Sequence, residues 1–348
     1  MGRDRIISPQ PDVADDERTI QSLRPKRLTE CVGQESLKQQ LVIAMEAAKK
    51  RGEPLDHLLL DGPPGLGKTT IANVVAEEMG TSLRITSGPA IVKQADLMTF
   101  LTNMEVGEIL FIDEIHRLPR VVEEFIYPAM EDFRIDFTVE SGLGGRTVNF
   151  ALNRFTLIGA TTRAGMLSAA LRDRFGVRLH FDFYTADELT EIVARSARRL
   201  ELDADDEALR MLAARSRGTP RVANRLLQRT RDYAQVRADG SLTPPVVDKA
   251  LDMLGVDALG LDDLDRNYLR TLMNVYNGGP AGIEALAASM GQERDTLEDM
   301  VEPYLLQIAF VVRTRQGRQA TREAYKHLAL PFPEQSDHDP VGEDPSLF

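Results

Sequence analysis

Apolar residues in the first half of the chain follow two alternating patterns. The runs Leu58-Leu59-Leu60, Ile109-Leu110-Phe111-Ile112 and Phe155-Thr156-Leu157-Ile158-Gly159-Ala160 have almost no polar interruption, as expected of parallel strands covered on both faces. Between them, apolar positions recur every three or four residues. Leu37, Leu41, Ile43, Ala44, Ala47 and Ala48 predict a helix over 36–50. Leu97, Phe100 and Leu101 predict one over 96–104, and 71–79 reads as a third, stopped by Gly80. Residues 82–86 and 179–183 supply two further strands. Strands alternating with helices predict a parallel, doubly wound α/β sheet.

One stretch interrupts this order. Phe133, Ile135, Phe137 and Val139 alternate with Arg134, Asp136, Thr138 and Glu140, and the Gly-rich turn 141–145 leads back into an apolar 147–152. The pattern predicts a β-hairpin over 133–150 whose apolar face either serves a partner or packs on its own domain. From Thr185 the periodicity is helical throughout, over 187–200, 205–217, 221–237 and 246–253, and the Gly218-Thr219-Pro220 break puts Arg221 at a helix start. The last segment predicts helices over 262–276, 282–290 and 293–307, then a hairpin turned at Gln316-Gly317, the pattern of a winged helix-turn-helix. The resulting layout is a flexible arm (1–20), a large α/β domain (21–184), an all-α small domain (185–255), a winged-helix domain (256–330) and a Pro- and acid-rich tail (331–348) expected to be disordered.

Composition narrows the classes. A chain of 348 residues suits two or three domains. No apolar run approaches the ~20 residues of a membrane span, and the polar, mixed-charge start Met1 to Asp16 does not read as a secretory signal. A single cysteine, Cys31, leaves no internal disulfide and suits a reduced cytoplasmic chain. Without Cys/His clusters there is no case for structural zinc. The net charge of −12 argues against a globally basic nucleic-acid coat but leaves room for a local basic surface.

Chemistry concentrates at strand ends. Gly62-Pro63-Pro64-Gly65-Leu66-Gly67-Lys68-Thr69 fits G-x-x-x-x-G-K-[ST] between a strand and a helix. Gly62, Gly65 and Gly67 let backbone N–H groups turn toward a phosphate, and the helix N-terminus adds partial positive charge. Lys68 would reach the β- and γ-phosphates of ATP, and Thr69, followed by Thr70, would hold Mg²⁺. Asp113 and Glu114 end the second buried run, where ligands bind open α/β sheets. Asp113 would act on Mg²⁺ through water, and Glu114 would orient the attacking water. An acidic cap after a strand is the plainer reading of that pair. Arg313, Arg315 and Arg318 gather on the last hairpin, with Arg294 at the helix before it. They either neutralise DNA phosphates or form a solvated charged turn.

The ordered set of the phosphate loop, Ile112-Asp113-Glu114-Ile115-His116-Arg117, Gly159-Ala160-Thr161-Thr162-Arg163, Leu171-Arg172-Asp173-Arg174-Phe175-Gly176, Gly218-Thr219-Pro220-Arg221 and Glu302-Pro303-Tyr304-Leu305-Leu306 resembles the RuvB family. These are bacterial Holliday-junction branch-migration motors among the AAA+ ATPases, and the likeness runs from about residue 6 to 330. It implies an α/β AAA+ domain, an all-α lid and a C-terminal winged helix, assembled as a homohexamer on double-stranded DNA at four-way junctions. By the same resemblance Leu23 and Arg24 close over adenine, and Tyr184 contacts the nucleotide. Thr162 is sensor 1, Arg221 sensor 2, and Arg174 an arginine finger acting on a neighbouring subunit. The hairpin 133–150 would meet the junction-binding RuvA, the RuvC resolvase would join the complete complex, and Arg313 and Arg318 would touch DNA backbone. Leu152-Asn153-Arg154-Phe155 departs from the prolines expected before the phenylalanine. A protein-remodelling or clamp-loader-like ATPase is the alternative. Residues 85–105 lack the aromatic-apolar-Gly triplet of an unfoldase pore, and the winged-helix end speaks against a clamp loader.

Overall fold

The computed structural model describes residues 23–138 and 147–333. The 1–20 arm, the turn of the 133–150 hairpin and most of the tail lie outside them. The chain divides into two compact units, one running to Leu254 and taking in Ala258–Gly260, the other made of Gly255–Asp257 and the residues from Leu261.

The first unit is built on strands β1 (Leu58–Asp61), β2 (Leu83–Ser87), β3 (Ile109–Asp113), β6 (Thr156–Thr161) and β7 (Val177–His180), with β4 (Arg134–Thr138) and β5 (Thr147–Ala151) forming a separate antiparallel pair. The five-stranded sheet is parallel, in the order β2-β3-β6-β1-β7. Leu58, Leu60, Leu110, Phe111, Ile112 and Leu157 are fully buried, as unbroken runs require. Helix Lys68–Met79 packs over β1, β3 and β6 with Ile71, Ala72, Val74 and Val75 inward. Register places Asp61 beside Thr161 and Ile112 beside Gly159, so the C-terminal ends of β1, β6 and β3 converge. Gly159 is required there, because a Cβ would lie 2.9 Å from Ile115 Cδ1 and 3.0 Å from Phe175 Cζ.

Two local differences from the expected elements have clear causes. The last strand starts two residues earlier than the apolar pattern implies, since Val177 pairs with Leu58, and it ends at His180. A helix at Arg120–Glu131 was not expected. Val122, Phe125, Ile126, Ala129 and Met130 bury one face of it, which offsets the ladder N–H that Pro128 removes. In the hairpin Ile135 pairs with Phe150. Ile135 is buried against its own domain, whereas Phe150 is exposed. At the hairpin base, Asn153 Nδ2 donates to the Met104 carbonyl (2.9 Å) and Arg154 covers the Phe133 ring at 5.5 Å. Polar and cationic contacts thus brace the segment where prolines were expected.

Four helices, Ala186–Arg199, Asp206–Ala214, Pro220–Arg237 and Pro244–Met253, complete the first unit as an all-α lid. Thr185 and Glu188 form a capping box, and Thr219 caps the helix that carries Arg221. The second unit has helices Asp263–Asn274 and Ile283–Met290, a composite helix over 294–307, strands β8 (Val311–Thr314) and β9 (Gly317–Ala320), and helix Arg322–His327. In the composite helix a π turn, Leu297–Val301, ends two residues before Pro303, whose ring removes one ladder N–H. Tyr268, Leu269, Leu272, Leu286, Leu297 and Leu305 form its core.

Candidate functional site

The phosphate loop leaves β1 through Gly62, at φ 137°, where an added Cβ would lie 2.6 Å from the Phe181 carbonyl oxygen. Lys68 is 7 % exposed. Its Nζ donates to the carbonyls of Gly62 (2.7 Å) and Pro63 (2.8 Å), so the loop's own backbone holds the ammonium. Burial pushes Lys68 down to about 8, opposed by Asp113 and reinforced by Arg221. The lid closes on the same loop. The Arg221 N–H donates to the Gly65 carbonyl at 3.3 Å, and Tyr184 Oη donates to the Leu66 carbonyl at 3.2 Å. The Arg221 guanidinium has no hydrogen-bond or ion-pair partner among the described residues.

Asp113 Oδ1 accepts the Glu114 N–H at 2.9 Å. Glu114 sits at φ 48°, a left-handed conformation uncommon outside glycine. Its carbonyl presses on Gly88, where a Cβ would come within 2.4 Å. Its carboxylate is paired with Arg117 at 3.2 Å. The neighbouring strand end is tied to this turn. Thr161 Oγ1 lies 2.9 Å from His116 Nδ1 and accepts the Arg163 N–H at 3.0 Å, leaving Thr162 on the cavity wall.

A cavity of about 350 Å³ joins these elements. It is lined by Leu23, Arg24, Gly65, Gly67, Lys68, Thr69, Thr70, Asp113, Glu114, Thr162, Tyr184 and Arg221, among others. Gly62 shapes the loop without lining it. Residues far apart in sequence therefore meet in one pocket.

Arg174 is not in this pocket. It pairs with Glu131 at 3.1 Å, donates to the Ala170 carbonyl at 2.6 Å and stacks on Tyr127 at 4.3 Å. The wing arginines also differ from the expectation of free phosphate ligands. Arg313 Nε donates to Glu302 Oε2 at 2.9 Å, and Arg318 Nε to Glu302 Oε1 at 2.8 Å. Arg318 also reaches Glu298 at 3.0 Å, and Arg294 pairs with Glu298 (3.1 Å) and Glu284 (3.0 Å). Glu302 is fully buried and accepts the Tyr268 hydroxyl at 2.8 Å as well. Arg318, only 15 % exposed, is spent on these carboxylates.

Sequence reasoning did not single out Gly88, Arg117 as the partner of Glu114, or Glu302 as the wing's anchor. Arg117 could have been found from its three-residue spacing after Glu114. Gly88 and Glu302 carry no local signal, because their reasons lie across the fold.

A phosphate loop, paired acids on the adjacent strand end and a lid arginine over one pocket define an ATPase of the AAA+ class. Family models match residues 23–329 almost without a gap: the Holliday junction DNA helicase RuvB P-loop domain matches residues 23–181, the RuvB AAA lid domain 184–257, and the RuvB C-terminal winged helix domain 258–329. The chain belongs to the RuvB family. The RuvB subunit of the Holliday junction branch migration complex from Kosmotoga olearia is 54 % identical over 327 residues, covering 94 % of this chain and 95 % of the relative. That from Dehalococcoides mccartyi is 54 % identical over 330 residues, covering 95 % and 94 %. A solved structure of the Thermotoga maritima RuvB Holliday junction branch migration motor superposes with a TM-score of 0.82 at 50 % identity, covering 89 % of this chain and 99 % of that one.

Proposed function

We propose that this chain is an ATP-driven double-stranded DNA translocase that moves Holliday junctions during recombination and repair. The observation that carries it is the single pocket in which Lys68, Asp113, Glu114, Thr162 and Arg221 meet, contributed by both the α/β domain and the lid. The working domains are the α/β domain (21–184), lid (185–255) and winged helix (256–330), in a cytoplasmic protein.

The pocket suits ATP with Mg²⁺ because its buried ammonium is hydrogen-bonded to backbone carbonyls of the phosphate loop, with Asp113 near enough to favour its charged form. Thr69 and, through water, Asp113 would hold Mg²⁺; these are the hard oxygen donors that ion takes. When bound, Mg²⁺ supplies charge neutralisation between the β- and γ-phosphates. Glu114 orients the attacking water and takes its proton, which requires release from Arg117. Leu23, Arg24 and Tyr184 enclose the adenosine end, while Thr162 and Arg221 read the γ-phosphate. Arg174, outside its own pocket, would serve a neighbouring copy in a homohexamer once released from Glu131.

The wing contacts DNA backbone chiefly through the half-exposed Arg313, with Arg318 and Arg294 setting its position. The hairpin 133–150 meets RuvA, consistent with the exposed Phe150, and RuvC joins the complete complex. The deciding experiment measures ATPase and junction unwinding with and without a four-way junction and RuvA. Stimulation of ATPase by both, with ATP-dependent junction movement, is expected. Junction movement without ATP, or an ATPase indifferent to DNA and RuvA, would overturn the reading.

A further inference from the structure

The lid helix Ala186–Arg199 sends two arginines to the segment that carries Leu23 and Arg24. Arg199 Nη1 donates to the carbonyls of Leu23 (2.8 Å) and Arg24 (3.0 Å), and its Nη2 donates to Glu30 Oε2 (3.2 Å). One turn earlier, Arg195 Nη1 donates to the Glu30 carbonyl. Glu30 Oε2 also accepts the Lys26 N–H at 3.2 Å. That bond, with Arg199 and Arg195 close by, holds the Glu30 carboxyl below its ordinary range. The same segment is fastened from the other side. Leu28 is buried in the core that includes the phosphate-loop helix, and its N–H donates to Glu78 Oε1 at 3.3 Å.

Leu23, Arg24 and Arg195 all line the nucleotide cavity. A planar guanidinium can bind two carbonyls and a carboxylate at once, which an ammonium on a flexible stem cannot reproduce. Residues 23–30 therefore bridge the lid and the phosphate-loop helix, and two lid arginines set the position of its pocket-lining end.

We propose that Arg195 and Arg199 are positioning residues for the nucleotide: they hold Leu23 and Arg24 as a strap on the pocket wall, so that lid displacement and loosening of the adenosine end are one event. This rests on the reading of the cavity as an ATP site. Neither arginine touches the reacting phosphate, so the effect falls on nucleotide retention and not on the chemical step.

The test compares ADP, which fills both ends of the pocket, with inorganic tripolyphosphate, which engages only the phosphate loop. In Arg199→Ala and Arg195→Ala, ADP affinity should fall roughly tenfold and KM for ATP rise in proportion, with tripolyphosphate affinity and kcat within about twofold of wild type. Arg199→Lys should not restore ADP affinity. Arg198→Ala, on the same helix but bonded only to the Ala194 carbonyl among the described residues, should behave as wild type. Wild-type ADP affinity in both alanine variants, or equal loss of ADP and tripolyphosphate, would overturn the strap. Should Arg199→Ala fail to fold, Glu30→Gln, which removes the carboxylate half of the same contact, must show the same split between the two ligands. Failure of the wild-type chain to bind ADP would overturn the ATP reading and the strap with it.

Discussion

The nucleotide pocket and the wing both collect cationic side chains, yet they keep them in opposite electrical states. In the pocket Lys68 is held by two uncharged carbonyls, and the Arg221 guanidinium has no partner among the described residues. On the wing Arg294, Arg313 and Arg318 are each bonded to a glutamate, and the central Glu302 is fully buried. The first arrangement stores unneutralised charge for one tightly bound anion. The second uses charge to build a shape, and offers phosphate the remaining donors of an already paired arginine. On the proposed function that division would suit a protein that holds nucleotide firmly and follows DNA of any sequence, because backbone contacts position without reading bases.

The largest effect expected from this contrast lies in a cation the pocket does not own. Arg174→Ala should lower ATP turnover by about 10³-fold or more while leaving nucleotide affinity unchanged. Mixing it with Lys68→Ala subunits should restore part of the activity, and mixtures inactive at every ratio would remove the trans role. Next comes Glu302→Gln. Neutralising a buried carboxylate that two arginines share should destabilise the winged-helix domain by about 1–3 kcal/mol in denaturant titrations. Unaltered stability would mean that the wing arginines are not built on Glu302, and the contrast with the pocket would collapse.

A smaller effect separates the two regions by pH. Burial lowers Lys68 from 10.5 to about 8 in the folded chain. Between those values the unfolded chain holds the extra proton, so the Lys68 contribution makes the nucleotide-free protein more stable as pH rises through that window. The ammonium is also the form that attracts phosphate, so ATP affinity moves the opposite way. KM for ATP should climb toward tenfold per unit above about pH 8, as steady-state kinetics across pH 7 to 10 would reveal. Smallest is Arg313→Ala, which should reduce the salt slope of DNA binding by about one and leave base preference flat. An unchanged slope would remove Arg313 from the DNA contact.

The legible parts of this molecule are those whose reason is local. The phosphate loop announces itself because the glycines, Lys68 and Thr69 stand between an apolar run and a helix, and Asp113 and Glu114 are readable because they close a buried strand. The Arg120–Glu131 helix is less legible, because Pro128 stands inside it and its stability comes from burying Val122, Phe125, Ile126, Ala129 and Met130 across the fold. The wing's ion pairs were hidden because Glu302 lies 11 and 16 residues before Arg313 and Arg318, so charge on the hairpin alone gave no hint that it was already balanced. Arg199 meets Leu23 across a sequence separation of 176 residues. No periodicity reports a contact of that kind.

The bond from the Arg221 N–H to the Gly65 carbonyl belongs to the main chain on both sides. Nineteen of the side chains that could stand at 221 would leave that donor in place; proline alone deletes it. Lid docking is thus insulated from most of the genetic variation that could reach this position, while the guanidinium it carries stays free to be tuned or lost. Selection can adjust how strongly the motor responds to its fuel without renegotiating where the lid sits.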